Sequence, residues 1–310
     1  MNSGLKVFAP ASVANMAVGY DILGFAIHGP GDEIIVRPGK TPGLVITQIT
    51  GTKKKLPLEV EKNTAGFAAL QLMKHLGDES IPIEMEIHKK MPFGSGLGSS
   101  AASAAAGVFA VNEFLNSSLS KRDLVRFAVQ GEQIADGAWH ADNVAPSLLG
   151  GIILIRDNET LDLVKLPAPN GLYACVVYPH ISVLTKDSRA VLSKSIELNQ
   201  HIAQSGNLAY LVAALYRLDF DMIRRCLTDL IIEPQRASLI PHFYELKDIA
   251  LSNNALGFSI SGAGPSVFAL CENSLIAETI GEKIKEFMVS KSIENDVFIS
   301  KINTTGTFKF

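Results

Sequence analysis

The stretch MPFGSGLGSSAASAAAGVFAVNEFL, residues 91–115, contains the strongest pattern in the sequence. Gly94, Gly96 and Gly98 alternate near its start, and an alanine-rich run long enough for a helix follows. Alternating glycines let successive backbone N–H groups point into one concavity, and a following helix adds unpaired N–H groups and the positive end of its dipole. The pattern predicts a phosphate-binding loop that leads into a packed helix. A tight turn between a strand and a helix is the alternative interpretation of the glycines alone.

Better-known motifs do not fit this stretch. A P-loop requires lysine and then serine or threonine after its last glycine, whereas Ser99 follows Gly98. A dinucleotide-binding loop requires the spacing GxGxxG, which these alternating glycines lack. The GxSxG motif of serine hydrolases and the HRD and DFG motifs of protein kinases are absent from the sequence.

The composition is that of a globular chain. At roughly 150 residues per domain, 310 residues correspond to about two domains. Apolar residues make up 47% of the chain and charged residues 19%, which excludes a disordered protein. The net charge of −3 does not favour a broad surface for nucleic acid, so we expect no nucleic-acid partner and only local contacts to any anionic ligand.

The cysteines and the N-terminal residues indicate the cellular compartment. Cys175, Cys226 and Cys271 form no CxxC pair and no Cys/His cluster, so we expect buried, reduced thiols. The first residues lack the basic and apolar regions of a signal peptide, and the uncharged run 91–112 is too rich in glycine, serine and alanine for a membrane span. We therefore expect a cytoplasmic protein with no membrane partner.

Hydrophobic periodicity predicts an α+β chain with a domain boundary near Gly150 and Gly151. Predicted strands cover residues 5–9, 24–28, 33–37, 83–87, 152–155, 174–178, 258–261, 267–271 and 297–302. Predicted helices cover residues 64–76, a run from residue 99, a run after residue 120, most of 188–227, 243–252 and 276–289. We interpret the run Lys53, Lys54 and Lys55 as a solvated turn.

One predicted helix contains an acidic residue of interest. Ser120 and Asp123 match a capping box at its start. The face predicted to point inward carries Leu124, Phe127, Ala128 and Ile134. Glu132 lies at the margin of this face, where a carboxylate needs a partner.

Three segments together resemble the GHMP kinase family. The stretch Pro92-x-Gly94-x-Gly96-Leu97-Gly98-Ser99-Ser100-Ala101 is similar to its signature loop, SGAGPS at 261–266 to its third motif, and APASVAN at 9–15 with GYDILG at 19–24 to its first. The resemblance therefore covers essentially the whole chain. It implies an α+β, two-domain fold: a ribosomal-protein-like, ATP-binding domain at 1–152, a C-terminal α/β sandwich at 153–310 and a ligand cleft between them.

Within the family, the chain resembles the branch that phosphorylates L-homoserine. The residues that carry this resemblance are Asn15, Gly19, Asp21, His140, Asp142, Asn143, Pro146, Arg189 and Arg236. The chemistry agrees, because arginine is a natural bidentate partner for the carboxylate of an amino acid and Asp21 for its ammonium. Taken singly, each of these residues is more often an ordinary surface group.

The resemblance implies transfer of a phosphoryl group from ATP to the homoserine hydroxyl, which yields O-phospho-L-homoserine for threonine biosynthesis. The implied catalytic residues are Asn143, Thr185 and Arg189. The implied substrate-binding residues are Asn15, Asp21, His140, Asn143, Arg189, Arg236 and Gly264. The implied ATP-binding residues are Asn63, Pro92, Phe93, Gly94, Ser95, Gly96, Leu97, Gly98, Ser99, Ser100, Ala101 and Ala102. Ser100 and Glu132 are the implied ligands of Mg²⁺, and a homodimer is the implied assembly.

The position of Asn143 departs from many GHMP kinases, which carry an aspartate thought to act as general base. Asparagine is not a useful proton acceptor. Either the neighbouring Asp142 replaces it, or the hydroxyl proton passes directly to the phosphate, and we hypothesise the second. Lys89 and Lys90 could also reach phosphate, but two lysines at the end of a strand more often face solvent.

Other functions remain open from the sequence. The nearest alternative is a kinase of the same family that acts on mevalonate or a shikimate-like alcohol, although the two arginines and Asn143 argue against it. A non-catalytic sensor on the same fold, or a decarboxylating relative, is an alternative of a different class. The serines of the loop and Glu132 argue against an inactive pocket.

Overall fold

The computed structural model describes residues 4–52, 55–137 and 139–310, and it confirms the predicted α+β class. Lys53 and Lys54 of the predicted solvated turn lie outside the described residues. In these ranges, no helix has both the length and the apolar character that a membrane crossing requires.

The described residues form two sheets with helices packed on them. The strands are β1 (Leu5–Ala14), β2 (Leu23–Pro38), β3 (Leu44–Thr50), β4 (Ile83–His88), β5 (Ile152–Asp157), β6 (Asp162–Leu166), β7 (Tyr173–Pro179), β8 (Gly257–Ile260), β9 (Val267–Cys271), β10 (Asn295–Lys301) and β11 (Phe308–Lys309). The helices are α1 (Thr64–Leu76), α2 (Ser99–Phe114), α3 (Lys121–Asp136), α4 (Val144–Leu149), α5 (Thr185–Ala190), α6 (Leu198–Arg217), α7 (Phe220–Cys226), α8 (Glu233–Arg236), α9 (Phe243–Ser252) and α10 (Ser274–Ser290). The first sheet has the order β11-β1-β2-β4-β3, with β5 on β2 and β6 on β5, and the second has the order β10-β7-β9-β8.

β2 is one continuous strand, although the sequence predicts two, at 24–28 and 33–37. Gly29, Pro30 and Gly31 between them have the composition of a turn. The chain stays extended through these residues, with Gly29 at a φ of 121° and a shift in the register with β1 nearby. β1 pairs with both halves of β2 and keeps the segment extended, so the prediction of two strands is wrong.

α2 forms the buried centre of the first helical layer. Every residue from Ala101 to Asn112 is buried, and the helix contacts β1, β2, α1, α3 and α4. Alanine side chains allow neighbours to approach closely on all sides of the helix. The phosphate loop predicted from the sequence therefore ends on a rigid element.

The second sheet is buried on both faces. Alternate residues of a strand point to opposite faces. Ala174 and Val176 of β7 belong to a core shared with the first sheet, whereas Cys175 and Val177 pack with α9 and α10. Phe25 of β2 meets a phenylalanine of β9 across the shared core, with ring centres 5.8 Å apart. The predicted C-terminal sandwich is therefore confirmed.

The predicted domain boundary after residue 152 stays a prediction. β5 begins at Ile152 and pairs within the first sheet, as does β6, whereas the second sheet begins with β7 at Tyr173. The sheets themselves therefore divide the chain after Leu166. The last strand, β11, returns to the first sheet beside β1.

Most predicted helices are present. α1 and α9 begin and end where the sequence predicts, and the capping box of α3 is formed. The predicted helical stretch 188–227 is instead three helices, α5, α6 and α7. Ile134 is 39% exposed, so its predicted inward position is wrong. It lies ten residues after Leu124, which at 100° per residue places it roughly 80° around the helix from Leu124, on the side opposite the buried Val125.

Candidate active site

The glycine loop at residues 92–98 lies where the two halves of the molecule meet. Ser261 Oγ, from the second glycine loop, donates a hydrogen bond of 2.6 Å to the Gly96 carbonyl. The opening segment joins from the other side, because the Ser12 N–H donates to the Leu97 carbonyl at 3.1 Å. The three segments that resemble family motifs therefore contact one another.

Two loop positions require glycine. Gly96 and Gly98 have φ angles of 76° and 68°, in the left-handed region. A Cβ atom at Gly96 would lie 2.6 Å from the Ser261 carbonyl oxygen, and one at Gly98 would lie 2.3 Å from Ser12 Oγ and 2.8 Å from Asn143 Oδ1. The alternating glycines thus let the loop approach both the opening segment and the second domain.

The loop ends at the N-terminus of α2, which no side chain caps. The N–H groups of Ser99, Ser100 and Ala101 have no partner within the helix, and they suit an anion there. The Ala102 N–H, by contrast, donates to the Gly98 carbonyl at 2.8 Å, and its side chain is buried. The Ala102 N–H is therefore already bonded within the helix, and a contact of Ala102 with ATP stays a prediction.

The two residues predicted to bind Mg²⁺ lie together. Ser100 Oγ donates to Glu132 Oε1 at 2.7 Å, and both residues line the cavity described below. Hydroxyl and carboxylate oxygens are ligands that Mg²⁺ prefers, usually with further oxygens from a substrate phosphate. Within the described ranges, no group of three or more His, Cys, Asp or Glu side chains is arranged to hold a metal alone. The pair therefore fits a Mg²⁺ ion shared with phosphate oxygens.

Lys89 does not face solvent as predicted but is buried beneath the start of α2. Its ammonium pairs with Asp32 and donates to the Ser99 carbonyl at 2.8 Å and to Ser103 Oγ at 2.6 Å. Its neighbour Lys90 is exposed, as predicted. The three ammonium donors of Lys89 are thus engaged by protein groups, so this lysine supports the helix and not the phosphate.

Asp21 and Arg189 form a bidentate ion pair across the cleft. The two hydrogen bonds measure 3.0 and 3.1 Å. His140 Nε2 lies 3.6 Å from Asp21 Oδ2, and Asn15 Oδ1 accepts the Asp21 N–H at 3.0 Å. The structure therefore gathers three predicted substrate residues around Asp21, with Arg189 and His140 at its carboxylate and Asn15 at its backbone N–H.

Arg236, the second predicted arginine, is 3% exposed and lies beside Arg189. Its Nε donates to the Ser188 carbonyl and its Nη1 to the Gly262 carbonyl, both at 3.0 Å. The Tyr20 hydroxyl accepts from both arginines. The sequence pattern did not single out Tyr20, whose only signal was its place within the first motif.

Asn143 and Asp142, which the resemblance places at the family's aspartate, lie beside the cavity. Asn143 Oδ1 accepts a hydrogen bond of 2.9 Å from Ser12 Oγ, beside the end of the glycine loop. Burial, and secondarily the charge of Asp21, raises the pKa of Asp142 to about 7, against an opposing effect of Arg189. The Asp142 carboxyl therefore changes its charge near neutral pH.

These groups surround one cavity of about 170 Å³, well above the roughly 10–15 Å³ that one water molecule needs on the same measure. The predicted site residues that line it are Asn15, Asp21, Phe93, Gly94, Ser95, Gly96, Gly98, Ser99, Ser100, Glu132, His140, Asn143, Thr185, Arg189, Arg236 and Gly264. Asn63, Pro92, Leu97, Ala101 and Ala102 do not line it. The Asn63 side chain caps α1 instead, and its contact with nucleotide stays a prediction.

Comparisons with known proteins agree with this arrangement. A family model described as the GHMP kinases N terminal domain matches residues 63–151, and one described as GHMP kinases C terminal matches residues 211–290. Homoserine kinases of Chlorobium phaeovibrioides and Chlorobium phaeobacteroides are 44% and 42% identical to the chain, and each alignment covers 97% of this chain and 98% of the relative. The crystal structure of homoserine kinase from Cytophaga hutchinsonii superposes with a TM-score of 0.97 at 48% identity, covering 100% of this chain and 98% of that one. Since both family models match and the relatives align along nearly the whole length, the chain belongs to the GHMP kinase family.

Proposed function

We infer that this chain is a kinase that transfers the γ-phosphoryl group of ATP to the side-chain hydroxyl of L-homoserine, a step of threonine biosynthesis. The observation that carries this function is that two arginines and Asp21 share one cavity with the glycine loop. The carboxylate and ammonium of an amino acid need such opposite charges, and a transferred phosphoryl group needs such a loop. The similarity to homoserine kinases supports the same substrate.

The substrate replaces the ion pair between Asp21 and Arg189. Its carboxylate binds Arg189 and Arg236, and its ammonium binds Asp21 with support from Asn15 and His140. Asp21 exchanges its arginine partner for the ammonium, and the two arginines share the one carboxylate, so no charge is left without a partner of the opposite sign. The primary hydroxyl then points away from the arginines, towards the glycine loop.

The glycine loop and the N-terminus of α2 bind the phosphates of ATP. The backbone N–H groups of the loop and of Ser99, Ser100 and Ala101 are the donors. Thr185, the first residue of α5, lies near the transferred group, and Gly264 closes the cavity from the second domain. Phosphoryl transfer depends mostly on such positioning and on charge stabilisation.

Ser100 and Glu132 hold Mg²⁺ in this proposal. When bound, this ion neutralises charge on phosphate oxygens and orients the transferred group. Glu132 also keeps the Ser100 hydroxyl in place through their hydrogen bond of 2.7 Å. The carboxylate at the margin of α3 thereby gains the partner that its partial burial requires.

We propose that no side chain removes the hydroxyl proton and that it passes to the phosphoryl group as the new bond forms. Asn143 positions the substrate hydroxyl, and a hydrogen bond from the Ser12 hydroxyl holds the Asn143 side chain in place. Asp142 is the competing base, because a pKa of about 7 leaves it partly ionised near neutral pH. Asp142→Asn should lower kcat less than about tenfold, below the range typical of a lost general base. A loss of several orders of magnitude with unchanged homoserine affinity would assign the base to Asp142.

Replacement of Glu132 tests the kinase site. Glu132→Gln should lower kcat about 100-fold or more in a coupled assay of ADP release, because a neutral amide holds Mg²⁺ poorly. Glu113→Gln is the control, since that carboxylate pairs with Lys309 and does not line the cavity. Wild-type kcat in the Glu132 variant would contradict the assignment.

A homodimer and a cytoplasmic location are further proposals from the family resemblance.

A further inference from the structure

Tyr20 lies beneath the two arginines that are proposed to bind the substrate carboxylate. Its hydroxyl oxygen accepts a hydrogen bond of 2.9 Å from Arg189 Nη1 and one of 3.2 Å from Arg236 Nη2. The guanidinium carbons lie 5.8 and 5.0 Å from the centre of the Tyr20 ring. One phenol therefore contacts both cations by its oxygen and by its ring.

The Tyr20 hydroxyl reduces the electrostatic repulsion between the two guanidinium groups. Two guanidinium groups of the same charge repel each other, and an acceptor shared by both offsets this repulsion. Burial lowers the pKa of Arg236, Tyr20 opposes this effect, and Arg189 adds to it. Arg189 also pairs with Asp21, whereas the other hydrogen bonds of Arg236 go to the Ser188 and Gly262 carbonyls. The phenol oxygen is a shared acceptor that keeps the pair converging on the cavity.

We propose that Tyr20 is a specificity-determining positioning residue, whose hydroxyl sets the spacing of Arg189 and Arg236 so that both bind the carboxylate of one amino-acid substrate. Tyr20 does not line the cavity, whereas both arginines do, so it acts through them. The inference rests on the proposed function, because it assigns the recognition of a carboxylate to these arginines.

Tyr20→Phe is the matched test, because it removes the hydroxyl and keeps the ring under both guanidinium groups. The variant loses two hydrogen bonds to charged groups, so we expect KM for L-homoserine to rise about tenfold or more. We expect kcat to change less than about threefold and KM for ATP to stay at the wild-type value, because the glycine loop is untouched. Tyr210→Phe is the control, since Tyr210 also lies under an arginine, Arg225, at 5.1 Å, but outside the cavity.

A substrate analogue without the carboxylate separates specificity from general damage. 3-Amino-1-propanol retains the ammonium and hydroxyl of homoserine, and its inhibition constant should be the same for the wild type and Tyr20→Phe. An unchanged KM for homoserine, or an equal loss of affinity for homoserine and 3-amino-1-propanol, would overturn the proposal. If the wild type itself fails to phosphorylate homoserine, the proposed function fails, whereas an active wild type with an unaffected Tyr20→Phe refutes the role of Tyr20 alone.

Discussion

At the scale of single residues, the partner of a charged side chain decides its role. The family resemblance predicts Asp21, Arg189 and Arg236 as substrate residues, their chemistry agrees, and all three line one cavity. The prediction that Lys89 faces solvent is wrong. Lys89 and Lys90 are adjacent and look alike in the sequence, and only the structure shows that Lys89 pairs with Asp32. A buried ion pair satisfies both charges, and losing either one would leave the other uncompensated. Tyr20 was missed for the same reason, since its role depends on two partners far along the chain.

Asp142 predicts a pH dependence of stability. Its pKa rises from 3.8 to about 7 on folding, chiefly through burial. Between these values the folded chain binds more protons than the unfolded chain, so the free energy of unfolding falls as pH rises from about 4 through 7. Three pH units at about 1.4 kcal/mol each give a loss of about 4 kcal/mol.

Asp142→Asn should remove this contribution. Urea unfolding of the nucleotide-free protein at pH 5 and pH 8 measures it, and the free energy of unfolding of the variant should fall less over this interval than that of the wild type. Asp221→Asn, at an exposed carboxylate on α7, is the control and should follow the wild type. Equal changes for the wild type and Asp142→Asn would show that the buried carboxyl does not titrate in this window.

At the scale of elements, periodicity predicts what local sequence controls. α1 and α9 match their predicted bounds because their apolar spacing and ends are local signals. The continuity of β2 could not be predicted, because pairing with β1 overrides a Gly-Pro-Gly turn signal. β3 and β6 went unpredicted, and β6 places two exposed residues, Val164 and Lys165, side by side where regular alternation would bury one of them.

The glycine loop predicts a contrast between two substitutions. Gly96 and Gly77 both have a φ of 76°, but a Cβ at Gly96 would lie 2.6 Å from a carbonyl oxygen, whereas one at Gly77 meets nothing within 4 Å. Gly77→Ala should lower the free energy of unfolding by about 1 to 2 kcal/mol with wild-type activity. Gly96→Ala adds a clash that displaces the loop, and kcat/KM for ATP should fall about 100-fold.

Activity assays and thermal unfolding of both variants test this contrast. The comparison isolates the close approach, because both variants carry the same backbone strain. Similar activity in Gly96→Ala and Gly77→Ala would mean that the approach between the two glycine loops is not needed for ATP binding.

At the scale of the whole molecule, the two halves share one core as well as one cavity. Buried residues of β2 and β9 pack together, including Phe25 and Phe268, and the last strand of the chain joins the first sheet. Family resemblance predicted two domains and a cleft, but it gave no measure of this shared packing. Because the two halves are packed together, the separation between the arginines of the second domain and the glycine loop of the first is fixed.

The shared core predicts that the protein unfolds as one unit. Differential scanning calorimetry should show a single transition, with a calorimetric enthalpy about equal to the van't Hoff enthalpy. Two separated transitions, with one half unfolding first, would contradict a continuous core and would make the cleft a hinge between independent domains.

The most direct test of the central claim is substrate choice in a coupled assay of ADP release. Mg-ATP is supplied with L-homoserine, mevalonate, galactose or L-threonine in turn. The arginine pair, Asp21 and the glycine loop in one cavity predict turnover with L-homoserine alone. Turnover with mevalonate or galactose, neither of which carries an ammonium group, would leave the phosphate-binding loop in place but contradict the roles of Asp21, Arg189 and Arg236 as the site of an amino acid.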